Sequence, residues 1–157
     1  MEFEKKKAEG TKGEELIFDR LRAKGWQLAD VRNHEFFQSI DVDAVITKPS
    51  QCFLIDVKTD AHTSGNFYIE IEKETTERPG RIYTTRADLW FYYFTPLDTL
   101  YAFRPVAMAQ HVESGKFHTA RAPTRNGGYL SWSVGKLVPI NGAPITQTIE
   151  NVSNFEQ

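Results

Sequence analysis

The sequence predicts an α/β fold, with a central mixed sheet flanked by helices and a C-terminal β extension. Three observations predict it: a helical pattern comes first, short β-rich runs separated by turn residues fill the middle of the chain, and a second helical pattern follows them. The chain has 157 residues, 40% of them hydrophobic, which suffices for one ordinary core. We therefore expect a single domain over residues 1–157, with its core at about 10–115 and the β extension at about 116–157.

The first two elements predicted are a helix and a strand. Between Lys12 and Lys24, Ile17 and Leu21 share one stripe, which is the spacing of a helix with one buried face. Gly25 follows as a C-terminal cap, because glycine adopts the left-handed conformation that ends many helices. The β-rich residues from Trp26 to Arg32 predict a strand, and a polar loop follows.

A β-hairpin is predicted next. Its strands are Val42 to Thr47 and Cys52 to Lys58, and the residues between them, Lys48-Pro49-Ser50-Gln51, have the composition of a turn. If the turn is centred between Pro49 and Ser50, the numbers of opposed residues add up to 99, whereas a turn centred one residue later gives 101. The sequence leaves both registers open.

The rest of the chain predicts a mixture of strands and helix. In order, we expect a strand at 67–72, a short helical turn at 84–88, strands at 89–94 and 100–103, a helix at 105–114, and short strands near 129–134 and 137–140. The aromatic residues Trp90, Tyr92 and Phe94 are expected to lie in the core, and the alternative is that they stack on unpaired bases. The polar tail from Asn141 is expected to fray.

Composition excludes several classes of protein. The formal net charge is −2, which argues against a strongly basic nucleic-acid coat protein, although a locally basic surface remains open. The longest apolar run, Leu89 to Phe94, is far too short to span a bilayer, and no apolar stretch follows the charged N-terminus. The single cysteine, Cys52, excludes an internal disulfide. We therefore expect a cytoplasmic protein with no membrane association.

One strand of the hairpin carries an unusual charge. Cys52 to Val57 is apolar apart from Asp56, and a carboxylate in such a strand is costly unless it is paired, hydrogen-bonded or bound to metal. Lys58, two residues on, points to the same face as Asp56. In the 99 register Asp43 lies opposite Asp56, and a divalent cation between the two carboxylates would relieve their repulsion. In the 101 register Asp43 pairs with Lys58 instead.

A simpler interpretation of these charges also stands. Asp41 and Asp43 would then mark a solvated start of a strand, and Asp56 with Lys58 would be a surface ion pair. The carboxylate inside an apolar run favours the metal site over this alternative.

The ordered set of residues resembles the PD-(D/E)XK nuclease superfamily, and within it small nucleases of the Holliday-junction-resolvase type. The resemblance rests on Gly13-Glu14 at the start of a helix, on Asp43 before Ala-Val-Ile, and on Ile55-Asp56-Val57-Lys58-Thr59. It covers about residues 10–60. Val42 stands where many members of the family have proline. The resemblance implies a restriction-endonuclease-like core.

The resemblance also implies an activity, a cofactor and a set of roles. The chain would be a DNA endonuclease of bacterial or phage origin, resolvase-like or restriction-like, that hydrolyses phosphodiester bonds with Mg²⁺, or with Mn²⁺ in its place. Asp43, Asp56, Glu14 and the backbone carbonyl of Val57 would hold the metal, and Lys58 would position the attacking water. Glu14 is preferred to Glu15 because it shares the apolar stripe of the helix. Cutting two strands symmetrically needs two sites, so a homodimer is expected.

Other residues carry weaker signals. Arginines in or near turns would contact DNA phosphates, or would be ordinary surface charges: Arg78, Arg81, Arg86, Arg121 and Arg125. Glu70 and Glu72 would add acids to the site or would belong to a solvated strand face. An alternative function also remains, in which the chain is an inactive module with a nuclease fold that binds nucleic acid or a protein partner.

Overall fold

The computed structural model of the protein describes residues 2–126 and 129–154. Within them, no helix has the length and apolar character needed to cross a membrane. The helices are α1 (Glu2–Ala23), α2 (Glu35–Ser39), α3 (Arg81–Thr84) and α4 (Pro105–Ser114). The strands are β1 (Gln27–Asp30), β2 (Ala44–Lys48), β3 (Gln51–Asp60), β4 (Asn66–Lys73), β5 (Arg78–Pro79), β6 (Leu89–Phe94), β7 (Thr99–Phe103), β8 (His118–Asn126), β9 (Tyr129–Pro139) and β10 (Ile145–Glu150).

The chain forms two compact units built from interleaved segments. The described residues of Met1–Thr63, Arg86–Arg104 and Ile145–Gln157 make the first unit, and Ser64–Thr85 with Pro105–Pro144 makes the second. The single domain expected over residues 1–157 stays a prediction. Residues 116–157 contain strands, as expected, but β8 and β9 pair with β4 whereas β10 pairs with β7.

The first unit contains a mixed six-stranded sheet, which confirms the predicted α/β class. Its strand order is β1-β2-β3-β6-β7-β10, and only the β3–β6 pair is parallel. Asp88, the residue before β6, makes two hydrogen bonds to Leu54 of β3 where the parallel pair begins. Its backbone N–H donates to Leu54 O at 2.7 Å, and its carboxylate accepts from Leu54 N at 2.7 Å.

Helix α1 covers one face of this sheet. It begins ten residues before the predicted start, because the Lys- and Glu-rich residues ahead of Lys12 are good helix formers and Glu2 pairs with Lys6 one turn later. It ends before Gly25, whose φ of +88° is the left-handed geometry predicted for the cap. The buried core beneath α1 joins helix, sheet and C-terminal residues: Ile17, Phe18, Leu21, Ala44, Ile46, Ile55, Val57, Phe91, Tyr93, Leu100, Ala102, Ile149 and Val152.

Gly13 brings α1 unusually close to β3. A Cβ atom at this position would lie 2.2 Å from Cγ2 of Thr59, which is closer than two non-bonded carbon atoms can approach. Gly10, one turn earlier, faces the same residue at a distance that allows a methyl group, 3.7 Å from Thr59 Oγ1. Gly13 therefore sets the depth at which the helix, and Glu14 with it, packs on the sheet.

Four local predictions are wrong or incomplete. The loop predicted after β1 contains the short helix α2, and the helical turn expected at 84–88 lies at Arg81–Thr84 instead. The two strands expected at 129–140 are one continuous strand, β9, and its partner β8 was not predicted. The tail expected to fray forms β10 on the edge of the first sheet, where Ser153 and Asp98 join by a 2.6 Å hydrogen bond.

The second unit contains a four-stranded antiparallel sheet in the order β5-β4-β9-β8. Phe67, Ile69 and Val138 are fully buried on one of its faces. On the other face, the ring of Tyr68 lies over Gly135, and its hydroxyl group forms a 2.9 Å hydrogen bond with Ser133 Oγ. Helices α3 and α4 pack together within this unit.

We expect Gly13→Ala to destabilise the protein by about 1–3 kcal/mol, because the added methyl group forces α1 away from Thr59. Gly10→Ala is the matched control and should be neutral or stabilising by up to about 1 kcal/mol, since the site has room and alanine favours the helix. Thermal melts of both variants measure the difference. Adding Thr59→Ala to Gly13→Ala should restore much of the loss; a double variant as unstable as the sum of the two would contradict the steric explanation.

Candidate functional site

The hairpin that carries the candidate site has the 99 register. Val45 pairs with Leu54 and Thr47 pairs with Cys52, so the 101 register is excluded. Ser50 adopts a left-handed conformation, with φ of 66°, in the two-residue turn. Residue alternation then places Asp43 and Asp56 at opposed positions, although the regular ladder ends one pair earlier, at Ala44 and Ile55.

Asp43, the residue before β2, makes three hydrogen bonds to backbone atoms of neighbouring residues. Its backbone N–H donates to Ile55 O at 2.8 Å, and its carbonyl accepts from Val31 N at 2.9 Å. Its carboxylate accepts from the backbone N–H of Val57 at 2.8 Å. The side chain is thereby turned over the middle of β3, toward Asp56.

Asp56 is almost completely removed from water, with 3% of the residue exposed. Its atom Oδ2 is buried and makes no hydrogen bond among the described residues. Nζ of Lys58 lies 3.3 Å from that oxygen, so the contact is an ion pair without hydrogen-bond geometry. A buried carboxylate oxygen without a hydrogen bond is costly, and a bound cation would remove that cost.

Lys58 is positioned by an aromatic ring as well as by Asp56. Its ammonium nitrogen lies 4.6 Å from the centroid of the Trp90 ring, which belongs to the neighbouring parallel strand. Trp90 is fully buried, and Tyr92 and Phe94 are buried too, which confirms the core position expected for these aromatic residues. The ring of Trp90 therefore packs against the ammonium group of Lys58, and one-fifth of the Lys58 side chain stays exposed.

The proximity of the two carboxyl groups alters the protonation of Asp43. Burial, followed by the charge of Asp56 and a hydrogen bond to it, raises the pKa of Asp43 to about 8. The hydrogen bond from Val57 N acts in the opposite direction, and the charge of Glu14 adds to the increase. In the absence of a cation, the site thus retains a proton near neutral pH.

Glu14 and Glu15 are both bound to one arginine. Nη1 of Arg32 donates to Glu14 Oε2 at 2.8 Å, and Nη2 donates to Glu15 Oε1. Arg32 also binds Asp30 in two places, at 2.9 Å and 2.6 Å, and these hydrogen bonds raise the pKa of the guanidinium and lower that of Asp30. Of the two glutamates, Glu14 is the less exposed, with 26% of its side chain accessible against 51% for Glu15.

The structure brings together only part of the predicted metal site. Among the described residues, no group of three or more His, Cys, Asp or Glu side chains is assembled for metal binding. Asp43 and Asp56 offer two adjacent carboxylates, which suits Mg²⁺ because it keeps several waters and needs few protein ligands. Glu14 lies near enough to act on Asp43 electrostatically but is engaged by Arg32.

The same strand face continues to Asp60, whose carboxylate is already satisfied. It accepts hydrogen bonds of 2.7 Å from the Tyr92 hydroxyl and from Nδ1 of His62. Asp60 therefore does not extend the pair formed by Asp43 and Asp56.

The remaining predicted residues lie elsewhere or have local roles. Arg86 is exposed in the first unit, whereas Arg78 and Arg81 belong to the second. The side chain of Arg125 lies outside the part of the chain that the structure describes. Phosphate binding by these four arginines stays a prediction.

Three other predicted residues take part in local structure. Arg121 is paired with Glu74 at 2.7 Å, and Glu70 accepts a hydrogen bond from the backbone of Arg81 at 3.2 Å. Glu72 lies opposite Pro79 in the pairing of β4 with β5. Glu70 thus has a structural role within the second unit.

Sequence reasoning missed Arg32. Its only local signal is Asp30, two residues earlier, because residues at this spacing on an extended chain point the same way. Its pairing with α1 depends on the packing of the helix against the end of β1, which no spacing in the sequence encodes.

Comparisons of the chain with protein-family models, curated proteins and solved structures give no match.

We expect the metal-free protein to lose stability as pH rises from about 4 to about 8. The folded protein keeps the proton of Asp43 up to about pH 8, whereas an unfolded aspartic acid loses it near 3.8, so the folded state binds more protons in between. Asp43→Asn removes this term, and in EDTA it should melt at least ~2–4 °C above the parent at pH 8, which corresponds to ~1 kcal/mol, and close to it at pH 4. A difference that does not vary with pH would contradict this explanation.

Asp56→Asn and Lys58→Ala should have opposite effects on the metal-free protein at pH 8. Asp56→Asn removes the repulsion with Asp43, so the melting temperature should rise. Lys58→Ala leaves the buried carboxylates without their nearby positive charge, and the free energy of unfolding should fall by about 1–3 kcal/mol. If both variants melt below the parent in EDTA, Asp56 and Lys58 form a purely structural ion pair.

Proposed function

We propose that the protein is a metal-dependent DNA endonuclease of the PD-(D/E)XK type, which hydrolyses phosphodiester bonds with Mg²⁺. One observation carries the proposal: a buried carboxylate, Asp56, lies beside a second carboxylate, Asp43, and 3.3 Å from the ammonium group of Lys58. Hydrolysis of a phosphodiester requires charge neutralisation at the phosphate and a positioned water, and this combination of residues can supply both.

Asp43 and Asp56 are the residues that would hold the metal, with the backbone carbonyl of Val57 and with Glu14 as the further ligands that the family resemblance implies. When bound, Mg²⁺ would supply Lewis-acid charge neutralisation and activation of water. Lys58 would place its ammonium group against the phosphate and orient the attacking water. Trp90 would limit the movement of Lys58, because its ring lies 4.6 Å from the nitrogen.

The sequence of elements that carries these residues supports the same proposal. A helix with Glu14 comes first, Asp43 stands at the start of β2, and Asp56, Val57 and Lys58 lie in β3, its antiparallel neighbour. This order is the one on which the resemblance rests. The proposal includes DNA as the substrate and a homodimer that cuts both strands, and these parts also rest on the resemblance.

A second candidate function has its own support. Glu14 is engaged by Arg32 at 2.8 Å, and the formal charge of the whole chain is −2. A module that binds nucleic acid or a protein partner without cutting would not need Glu14 at a metal. Cleavage assays separate the two functions.

Supercoiled, linear, single-stranded and four-way-junction DNA should be incubated with the protein in Mg²⁺, in Mn²⁺ and in EDTA. We expect cleavage of at least one substrate with either metal and none in EDTA. Asp56→Asn and Lys58→Ala should each slow cleavage by at least ~10²-fold, because one removes a metal ligand and the other removes the positive charge at the phosphate.

Two control variants match these substitutions. Lys48→Ala removes a lysine that also lies 4.6 Å from a tryptophan ring, that of Trp26, but belongs to the opposite end of the hairpin. Asp19→Asn removes an exposed carboxylate from α1. Both should cut DNA at the rate of the parent. If no metal supports cleavage of any substrate while DNA is still bound, the binding module is the correct function.

A further inference from the structure

Arg32 is paired with three acidic side chains, one of which, Glu14, belongs to the candidate site. Its side chain is 18% exposed, and its guanidinium contacts Glu14, Glu15 and Asp30. The ring of Phe18 stacks on the guanidinium at 4.8 Å, so that both its edge and one of its faces are occupied. Few arginines so little exposed serve only as surface charges, because so many contacts must be formed at once.

Backbone hydrogen bonds place Arg32 next to the carboxylate pair. Val31 N, one residue before it, donates to Asp43 O at 2.9 Å. On its other side, the carbonyl of Arg32 accepts from Gln38 Nε2 at 2.7 Å, which ties it to α2. Arg32 therefore lies just beyond β1, where its neighbour Val31 is tied to Asp43 and Arg32 itself is tied to α2.

Glu14 is the residue through which Arg32 can act on the site. Among the described residues, Arg32 is the only hydrogen-bond partner of the Glu14 side chain. The charge of Glu14 nevertheless reaches Asp43, where it contributes to the raised pKa. Glu14 is thus a further carboxylate whose charge acts on the pair, but that charge is balanced by a guanidinium instead of a cation in the site.

We propose that Arg32 sets the affinity of the Asp43–Asp56 pair for a divalent cation by holding the Glu14 carboxylate in an ion pair, away from coordination. The inference rests on the proposed function, since it takes the pair as a metal site. An independent feature supports a ligand there: Asp56 is 3% exposed and its buried Oδ2 makes no hydrogen bond in the described part of the chain. The cation and Arg32 then compete for one carboxylate, because both attract it electrostatically.

The competition has a consequence that can be measured without DNA and without cleavage. Removing Arg32 frees Glu14 to become a third carboxylate ligand, and the affinity for Mn²⁺ should increase. Part of any increase would come simply from removing a positive charge near the site. That general effect does not need Glu14, whereas competition for Glu14 does, so a double-mutant cycle separates the two.

The experiment is calorimetric titration of Mn²⁺ into the full chain, with electron paramagnetic resonance of free Mn²⁺ as a second readout. The variants are Arg32→Gln, Glu14→Gln and the two combined. We expect Arg32→Gln to lower the Kd by about fivefold or more, and to change it less than about twofold when Glu14→Gln is already present. Glu15→Gln is the matched control, since it removes another partner of Arg32 and should leave the Kd unchanged.

Each other outcome overturns the inference in a recognisable way. If Arg32→Gln lowers the Kd for Mn²⁺ equally with and without Glu14→Gln, Arg32 acts only through its general charge. If Arg32→Gln weakens Mn²⁺ binding, Arg32 presents Glu14 to the metal. If the parent binds no Mn²⁺, or if Asp43→Asn leaves its binding unchanged, the metal site of the proposed function fails as well. A parent that binds Mn²⁺ through Asp43 but does not respond to Arg32→Gln overturns the role of Arg32 alone.

Arg32→Lys keeps the test informative if Arg32→Gln does not fold. Lysine retains the charge, but it cannot bind Glu14 and Glu15 with the two arms of a guanidinium. It should therefore tighten Mn²⁺ binding by a smaller factor, and again only when Glu14 is present. Thermal melts of every variant establish that the compared proteins are folded.

Discussion

Two carboxyl groups held together away from water are the constraint on which the candidate site depends. Asp56 is buried in a strand with core on its other face, and the hairpin register brings Asp43 beside it. Ionised carboxylates repel more strongly as the surroundings become less polar. The folded protein must therefore neutralise the pair with a proton, with Lys58 or with a bound cation. Each of these acts on the carboxylate oxygens of Asp43 and Asp56.

The surrounding structure determines how that charge is balanced. The parallel neighbour β6 supplies Trp90, whose ring supports Lys58 beside Asp56. Gly13 lets α1 approach β3 closely, which brings Glu14 within electrostatic reach of Asp43. Arg32 then balances Glu14 itself. A cation in the site would enter a network that already contains one lysine, one arginine and a retained proton.

Local sequence signals predicted the elements that depend on short-range geometry. The hairpin of β2 and β3, the strand β6 and the helix α4 follow from turn residues, from an unbroken apolar run and from proline at a helix start. Elements that need a distant partner were missed or misplaced. Strand β10 pairs with β7, which lies far earlier in the chain, and no pattern in β10 itself marks that partner. Strand β8 was missed for another reason: its partner β9 is its neighbour in the chain, but its largely polar residues, which include Pro123, lack the pattern of a strand.

The sequence by itself determined which residues are candidates: an acid in an apolar strand, a lysine two residues on, and an acid that lies opposite the first in one of two possible registers. These are relations between near neighbours, and the alternation of side chains along a strand is enough to establish them. Only the structure decided between the two registers, and only the tertiary structure placed Trp90 against Lys58 and joined Glu14 to Arg32. The last two contacts join residues far apart in the chain, and the position of Glu14 also depends on how closely α1 packs against the sheet, which is set where Gly13 meets Thr59.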